Sequence, residues 1–152
     1  MKIVFVCTGN TCRSPMAEYA FRDILAERDI EAIEVSSAGV AAASGAPITE
    51  NSRLVLEEHG HSGAENHTSR AVLEHQLQAG DLLLTMTANH LARLPDFLQE
   101  IRVEIDTLRN YVGEPGEFPD PYGGDLERYR RLYRELKPSL DKLADKLEAA
   151  DS

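Results

Sequence analysis

The chain has no tryptophan, two cysteines among 152 residues, and 16 lysines and arginines against 26 aspartates and glutamates. Each shortage excludes something. Two cysteines cannot build a disulfide framework, and a reducing compartment would keep both as thiols, so chemistry is a better reason for them than crosslinking. A net charge of -10 argues against nucleic acid as a partner, because an acidic surface repels phosphates. Any anion handled here must be held locally. No apolar stretch approaches the length that spans a bilayer, and Met1 leads directly into MKIVFV without a basic segment and a long apolar run. The expectation is a cytoplasmic protein with no membrane partner, acting as a monomer.

What is present is enough apolar residue, 42%, to build one core, so residues 1–152 read as a single domain. Lys2 to Val6 is a short β-branched run ending at Cys7, and Met16, Ala17, Ala20, Phe21, Ile24 and Leu25 follow at helical spacing. Ser14 suits an N-cap, Pro15 the first helical position, and Glu18 the positive end of the helix dipole. Further strands are expected at 32–37, 81–86 and 102–105, with helices near 49–59, 70–78 and 88–98. A last helix over 126–149 carries Leu132, Leu136, Leu140, Leu143 and Leu147 amid charges, with Pro138 as a kink or break. Strands alternating with helices imply an α/β, three-layer domain with a parallel sheet covered on both faces and ligands at the carboxyl ends of the strands. The one long irregular stretch, 112–124, holds three of the seven prolines and four of the ten glycines.

The loop from Cys7 to Arg13 joins the first strand to the first helix. A helix N-terminus offers unpaired amides and a positive dipole end, so Thr8, Gly9, Asn10, Thr11 and Cys12 could curl into a ring of amides around a phosphate-sized anion. Gly9 would let the backbone turn inward. Asn10 tolerates left-handed angles and can pin the loop with its side chain. Arg13 supplies a planar fork for two phosphate oxygens. Cys7 would lie at the floor, where amides, dipole and guanidinium favour the thiolate nucleophile. Nucleotide hydrolysis needs a lysine followed by serine or threonine in such a loop, and none is here. Zinc binding by Cys7 and Cys12 lacks a second ligand pair, so no metal site is expected.

The string CTGNTCRSP, directly after a first strand, resembles the signature of the low-molecular-weight protein tyrosine phosphatase family, and SSAG at 36–39, DLLLTMT at 81–87 and FPDPYGG at 118–124 resemble its later elements. The resemblance implies a four-stranded parallel sheet flanked by helices. It implies that Cys7 attacks phosphorus through a phosphocysteine intermediate, Arg13 binds the phosphoryl oxygens, Ser14 bonds the sulfur and Asn10 holds the loop. It implies no cofactor, phosphorylated proteins as substrates and inorganic phosphate as product.

Expelling a leaving group from phosphorus is easier when it is protonated, so an acid must reach the mouth of the cradle. An Asp-Pro pair alone reads as a turn, but the resemblance makes Asp120 the general acid, later the base for water. Tyr122 would line the cleft or pack on the core. Cys12 would pack, or close a reversible disulfide with Cys7 against further oxidation, a reading the resemblance favours. His59, His61 and His67 are expected to be solvated.

Arsenate reductases share this loop, but thioredoxin-coupled members need extra cysteines near the end of the third strand, and residues 79–95 contain none. A phosphate-binding module would need neither Cys7 nor Asp120. Within the family, tyrosine-directed members commonly carry isoleucine or leucine where Thr11 stands. CTGNTCRSP with an aromatic and two glycines after Asp-Pro resembles the bacterial protein arginine phosphatases more closely. One departure is Ala41 after Val40, where that subgroup can place an aromatic. The expected substrate is therefore protein phosphoarginine, with phosphotyrosine the alternative.

Overall fold

The computed structural model describes residues 1–150. Strands β1 (Lys2–Cys7), β2 (Glu34–Gly39), β3 (Leu82–Thr85) and β4 (Glu104–Thr107) form one parallel sheet in the order β2-β1-β3-β4. Its register pairs Cys7 with Gly39 and Val6 with Thr85, so the strand ends that carry the first loop share one rim. Around the sheet lie α1 (Arg13–Glu27), α2 (Glu50–Glu58), α3 (Ala88–Ala92), α4 (Phe97–Glu100), α5 (Leu108–Tyr111) and α6 (Leu126–Ala150).

Because β1 is buried on both faces, its alternate side chains feed two cores. Ile3 and Phe5 join Leu82, Leu84 and the apolar faces of α1 and α6; Val4 and Val6 join Leu83, Val72, Leu98 and Val103. Phe5 meets Phe21 of α1 edge to face, with centroids 5.6 Å apart. Burying each such ring contributes about 1.5–3 kcal/mol, and that packing fixes where α1, and hence the loop before it, begins.

Several expected boundaries move. The second strand runs to Gly39 rather than ending at 37, and the fourth starts at Glu104 rather than 102. The helix expected over 70–78 reduces to one 3-10 turn at Val72–Glu74. Ala71 pairs with Gly39 as an isolated bridge, which holds the chain extended, and Leu73 is 68% exposed while Val72 is buried, so the apolar residues there do not share one helical face. The helix expected over 88–98 is split into α3 and α4 before and after Pro95, which disfavours helical angles at the residue preceding it. Pro138 does not interrupt α6: it lies on the exposed face, where water can satisfy the carbonyl it leaves unpaired. Helix α1 starts at Arg13, so Cys12 rather than Ser14 occupies the cap position, and Pro15 sits later in the first turn, where a missing N–H costs nothing.

Candidate active site

The loop between β1 and α1 is closed from behind by hydrogen bonds that the strand ends supply. Val40 N–H donates to the Cys7 carbonyl and Ala41 N–H to the Thr8 carbonyl, each at 2.9 Å. Gly39 must be glycine for this approach, because a Cβ there would lie 2.5 Å from the Thr8 oxygen and 2.8 Å from Ala42 Cβ. Asn10 is the loop's pivot. Its φ is 58°, and its side-chain amide and its carbonyl are all bonded. Its Nδ2 donates to Ser14 Oγ at 2.9 Å and Ser37 Oγ at 2.8 Å, and its Oδ1 accepts from Arg70 N–H at 2.9 Å. Its carbonyl accepts from His67 Nε2 at 2.8 Å. Gly9, by contrast, is not left-handed, and a Cβ there would meet only Thr11 Oγ1 at an ordinary 3.7 Å. The inward turn expected of Gly9 is made by Asn10.

Cys7, Thr8, Gly9, Thr11, Cys12, Arg13, Asp120 and Tyr122 line a cavity of about 230 Å³. Asn10 and Ser14 lie behind it, fully buried. Ser14 Oγ is 2.9 Å from Cys7 Sγ; having accepted from Asn10, its own proton has the sulfur or the Ala38 carbonyl, at 3.3 Å, as acceptor. A hydroxyl aimed at sulfur is what a thiolate requires. Cys12 is different: burial raises its thiol above the ordinary range, and its sulfur sits 3.6 Å from both Thr49 Oγ1 and Tyr129 Oη. Both cysteines are free thiols.

Arg13 is 5% exposed and anchored through Nη1 to the Phe118 carbonyl at 3.2 Å. Its Nη2 lies 3.6 Å from Asp120 Oδ2, across the mouth. Asp120 itself is half exposed and accepts from Tyr122 N–H at 3.1 Å. Pro121 is buried, Gly123 has φ 80°, and Gly124 N–H closes a turn on the Pro121 carbonyl at 2.8 Å, so one rigid loop presents the carboxylate. Tyr122 stands 73% exposed at the rim instead of packing on the core.

The family model described as low molecular weight phosphotyrosine protein phosphatase matches residues 2–152. The chain belongs to this family. A protein-arginine-phosphatase of Bacillus subtilis is 39% identical over 150 residues, covering 97% of each chain. The low molecular weight protein-tyrosine-phosphatase PtpB of Staphylococcus aureus is 39% identical over 145 residues, covering 95% of this chain and 98% of its own. Among solved structures, a cysteine-to-serine mutant of YwlE arginine phosphatase with a phosphorylated active-site serine superposes with a TM-score of 0.88 at 37% identity, covering 97% of this chain and 96% of that one.

Several side chains around the loop and beyond it carry no signal in the loop motif. His67 is buried, not solvated: Nε2–H reaches Asn10, so Nδ1 accepts from Tyr19 Oη at 3.2 Å. His61 is buried too, between Asp23 Oδ2 at 2.6 Å and Tyr133 Oη at 2.7 Å. His59 is exposed but stacks on the Tyr133 ring at 3.9 Å. Glu18 is buried, taking Ser37 Oγ at 2.5 Å and pairing with Arg22. His90, 3% exposed, places Nε2 3.0 Å from Thr8 Oγ1 and 3.4 Å from Arg13 Nη2. Burial first, then Arg13 and Arg93, hold it down to about 4, so a neutral ring stands beside the guanidinium. Its sequence signal is Thr87 three residues earlier: that hydroxyl caps α3 at the carboxyl end of β3, where ligands of parallel sheets bind.

Proposed function

We propose that the protein is a cysteine-dependent protein phosphatase that hydrolyses phosphoarginine in proteins through a phosphocysteine intermediate. The observation that carries the chemistry is the convergence, on one 230 Å³ cavity, of a sulfur with a hydroxyl 2.9 Å away, a buried guanidinium and a half-exposed carboxylate on a rigid loop. In the first step Cys7 Sγ attacks phosphorus, the bond to the leaving group breaks, and Asp120 gives its proton to the departing nitrogen or oxygen. Charge on the transferring phosphoryl group faces the loop amides, the start of α1 and the fork of Arg13. In the second step Asp120 takes a proton from water, whose oxygen attacks phosphorus, and the thiolate leaves with inorganic phosphate as product. No metal or other cofactor enters either step. Cys12, whose thiol burial raises, is not the attacking sulfur; its proposed role is to form a disulfide with Cys7 once Cys7 is oxidised to the sulfenic acid, with water as the leaving group. A thiolate enzyme needs a reducing compartment, so the reading carries a cytoplasmic location with it.

The substrate reading rests on the hydroxyl of Thr11, a residue that lines the cavity. A guanidinium can hydrogen-bond to it, whereas a phenol ring would be better served by an aliphatic branch. The tyrosine phosphatase reading is the alternative, favoured by the equal 39% identity of PtpB. Measuring kcat/KM on phosphoarginine and phosphotyrosine peptides of the same flanking sequence separates them. Preference for phosphoarginine is expected; preference for phosphotyrosine would make this a tyrosine phosphatase.

A further inference from the structure

Beside the active-site cavity lies a second cleft of about 410 Å³, lined by Pro119, Asp120, Pro121, Arg128, Arg131 and Glu135, among others. The two cavities share Asp120. Because Asp120 lines both, residues flanking one held in the first could reach the second, an extended chain spanning about 3.3–3.6 Å per residue.

The charges in this cleft are arranged unlike those of the rest of α6. Arg130 pairs with Glu58 at 2.8 Å, and Arg134 with Glu127 at 2.7 Å. Arg128 and Arg131, which face the cleft, have no carboxylate partner among the described residues. Of the acids nearby, Asp125 accepts from Arg128 N–H at 3.1 Å and Asp120 faces Arg13, while Glu135 lies 3.6 Å from Arg109 through Oε1 and leaves its Oε2 without a hydrogen-bond partner among the described residues. In a chain of net charge -10, two exposed guanidiniums without a carboxylate partner, three residues apart on one helix at the edge of the catalytic cavity, are available to an anion from elsewhere. Arg128 is also held in place. Its side chain lies across Gly124, where an added Cβ would collide with Arg128 Cδ and lie 2.9 Å from the Pro121 carbonyl, so glycine at 124 lets the arginine stem rest on the acid loop.

We propose that this cleft is a substrate subsite, in which Arg128 and Arg131 take an acidic side chain flanking the phosphorylated residue. The inference rests on the phosphatase reading and extends it: the preferred substrates carry glutamate or aspartate within three residues of the phosphorylated position. The local cationic pair offsets the repulsion that an acidic segment meets from the rest of the surface. Because the pair is exposed, each contact is modest and weakens with salt.

The test uses hydrolysis of para-nitrophenyl phosphate as reporter and two phosphoarginine peptides as competitive inhibitors, alike except for glutamate or glutamine at the three positions on either side. The wild type should bind the glutamate peptide about three- to tenfold more tightly, as two exposed ion pairs allow, with the ratio shrinking as ionic strength rises. In Arg128→Gln/Arg131→Gln the ratio should fall to about one. Equal inhibition constants in the wild type, or a glutamate preference that survives the double substitution, would overturn the subsite while leaving the phosphatase reading intact. Absence of reporter turnover would overturn the phosphatase reading and the subsite with it.

Discussion

In the proposed function Asn10 holds the loop and Thr11 selects the substrate. A non-glycine residue at φ 58° is uncommon, and Asn10 persists there because both ends of its amide and its carbonyl are bonded by groups that the fold brings from three other segments. The Thr11 carbonyl accepts from Thr49 N–H at 2.9 Å, but among the described residues its side chain has only Cys12 Sγ at 3.9 Å, and it lines the cavity. Thr11→Ile should therefore leave the fold intact, lower kcat/KM on phosphoarginine and raise it on phosphotyrosine. A hydroxyl that hydrogen-bonds the leaving group discriminates by going unpaired with the wrong ligand, whereas the branch of isoleucine offers the ring an apolar contact. Equal changes on both substrates would remove Thr11 as the selector. The loop motif was legible because its residues act through local backbone. The buried histidines were not, because their partners are remote: His67 and Asn10 are 57 residues apart, and His90 and Thr8 are 82 apart. No window of sequence shows that such a ring has a partner.

Among the elements, the acid loop is the one whose sequence and shape agree most closely. Pro119 and Pro121 restrict the chain on either side of Asp120, while Gly123 and Gly124 permit the turn and the close approach of Arg128. Asp120→Asn should cost about a hundredfold to ten-thousandfold on substrates with poor leaving groups and much less on activated aryl phosphates, since only the former need a proton at departure. A uniform loss on both would make Asp120 structural. The same elements show where pattern reading stops. The apolar period of α6 marks a real buried stripe, Leu132, Leu136, Leu140, Leu143 and Leu147, and the helix is where that stripe requires it. The apolar residues of 70–78 have a similar look, but pairing of Ala71 with Gly39 overrides helical propensity there. A bridge to a residue 32 positions earlier lies outside any local period.

At the scale of the whole molecule, burial of uncharged histidine links stability to pH. His90 has its proton affinity lowered from 6.5 to about 4, and burial also lowers His75, whose Nε2 donates to the Ser37 carbonyl at 2.9 Å. Between pH 6.5 and about 4 the unfolded chain binds a proton at position 90 that the folded chain refuses, so stability falls as pH drops through that window and is fully present above it. Thermal unfolding followed from pH 7 to 4 should show this decline, and His90→Gln should shrink it without abolishing it, since His75 remains. An unchanged slope in His90→Gln would mean that His90 is charged in the folded state.

The architecture brings these scales to one place: a parallel sheet whose β1 ends at Cys7, a loop held open by Asn10, and an acid delivered from a stretch more than 100 residues later. The claim on which everything functional depends is that phosphate passes through the sulfur of Cys7. Radiolabelled aryl phosphate mixed with Asp120→Asn, in which hydrolysis of the intermediate is slowed, should after rapid acid quenching leave label on a single peptide containing residues 7–13, with Cys7 as the modified atom's residue. Label on any other residue, or steady turnover by Cys7→Ser, would contradict a phosphocysteine mechanism.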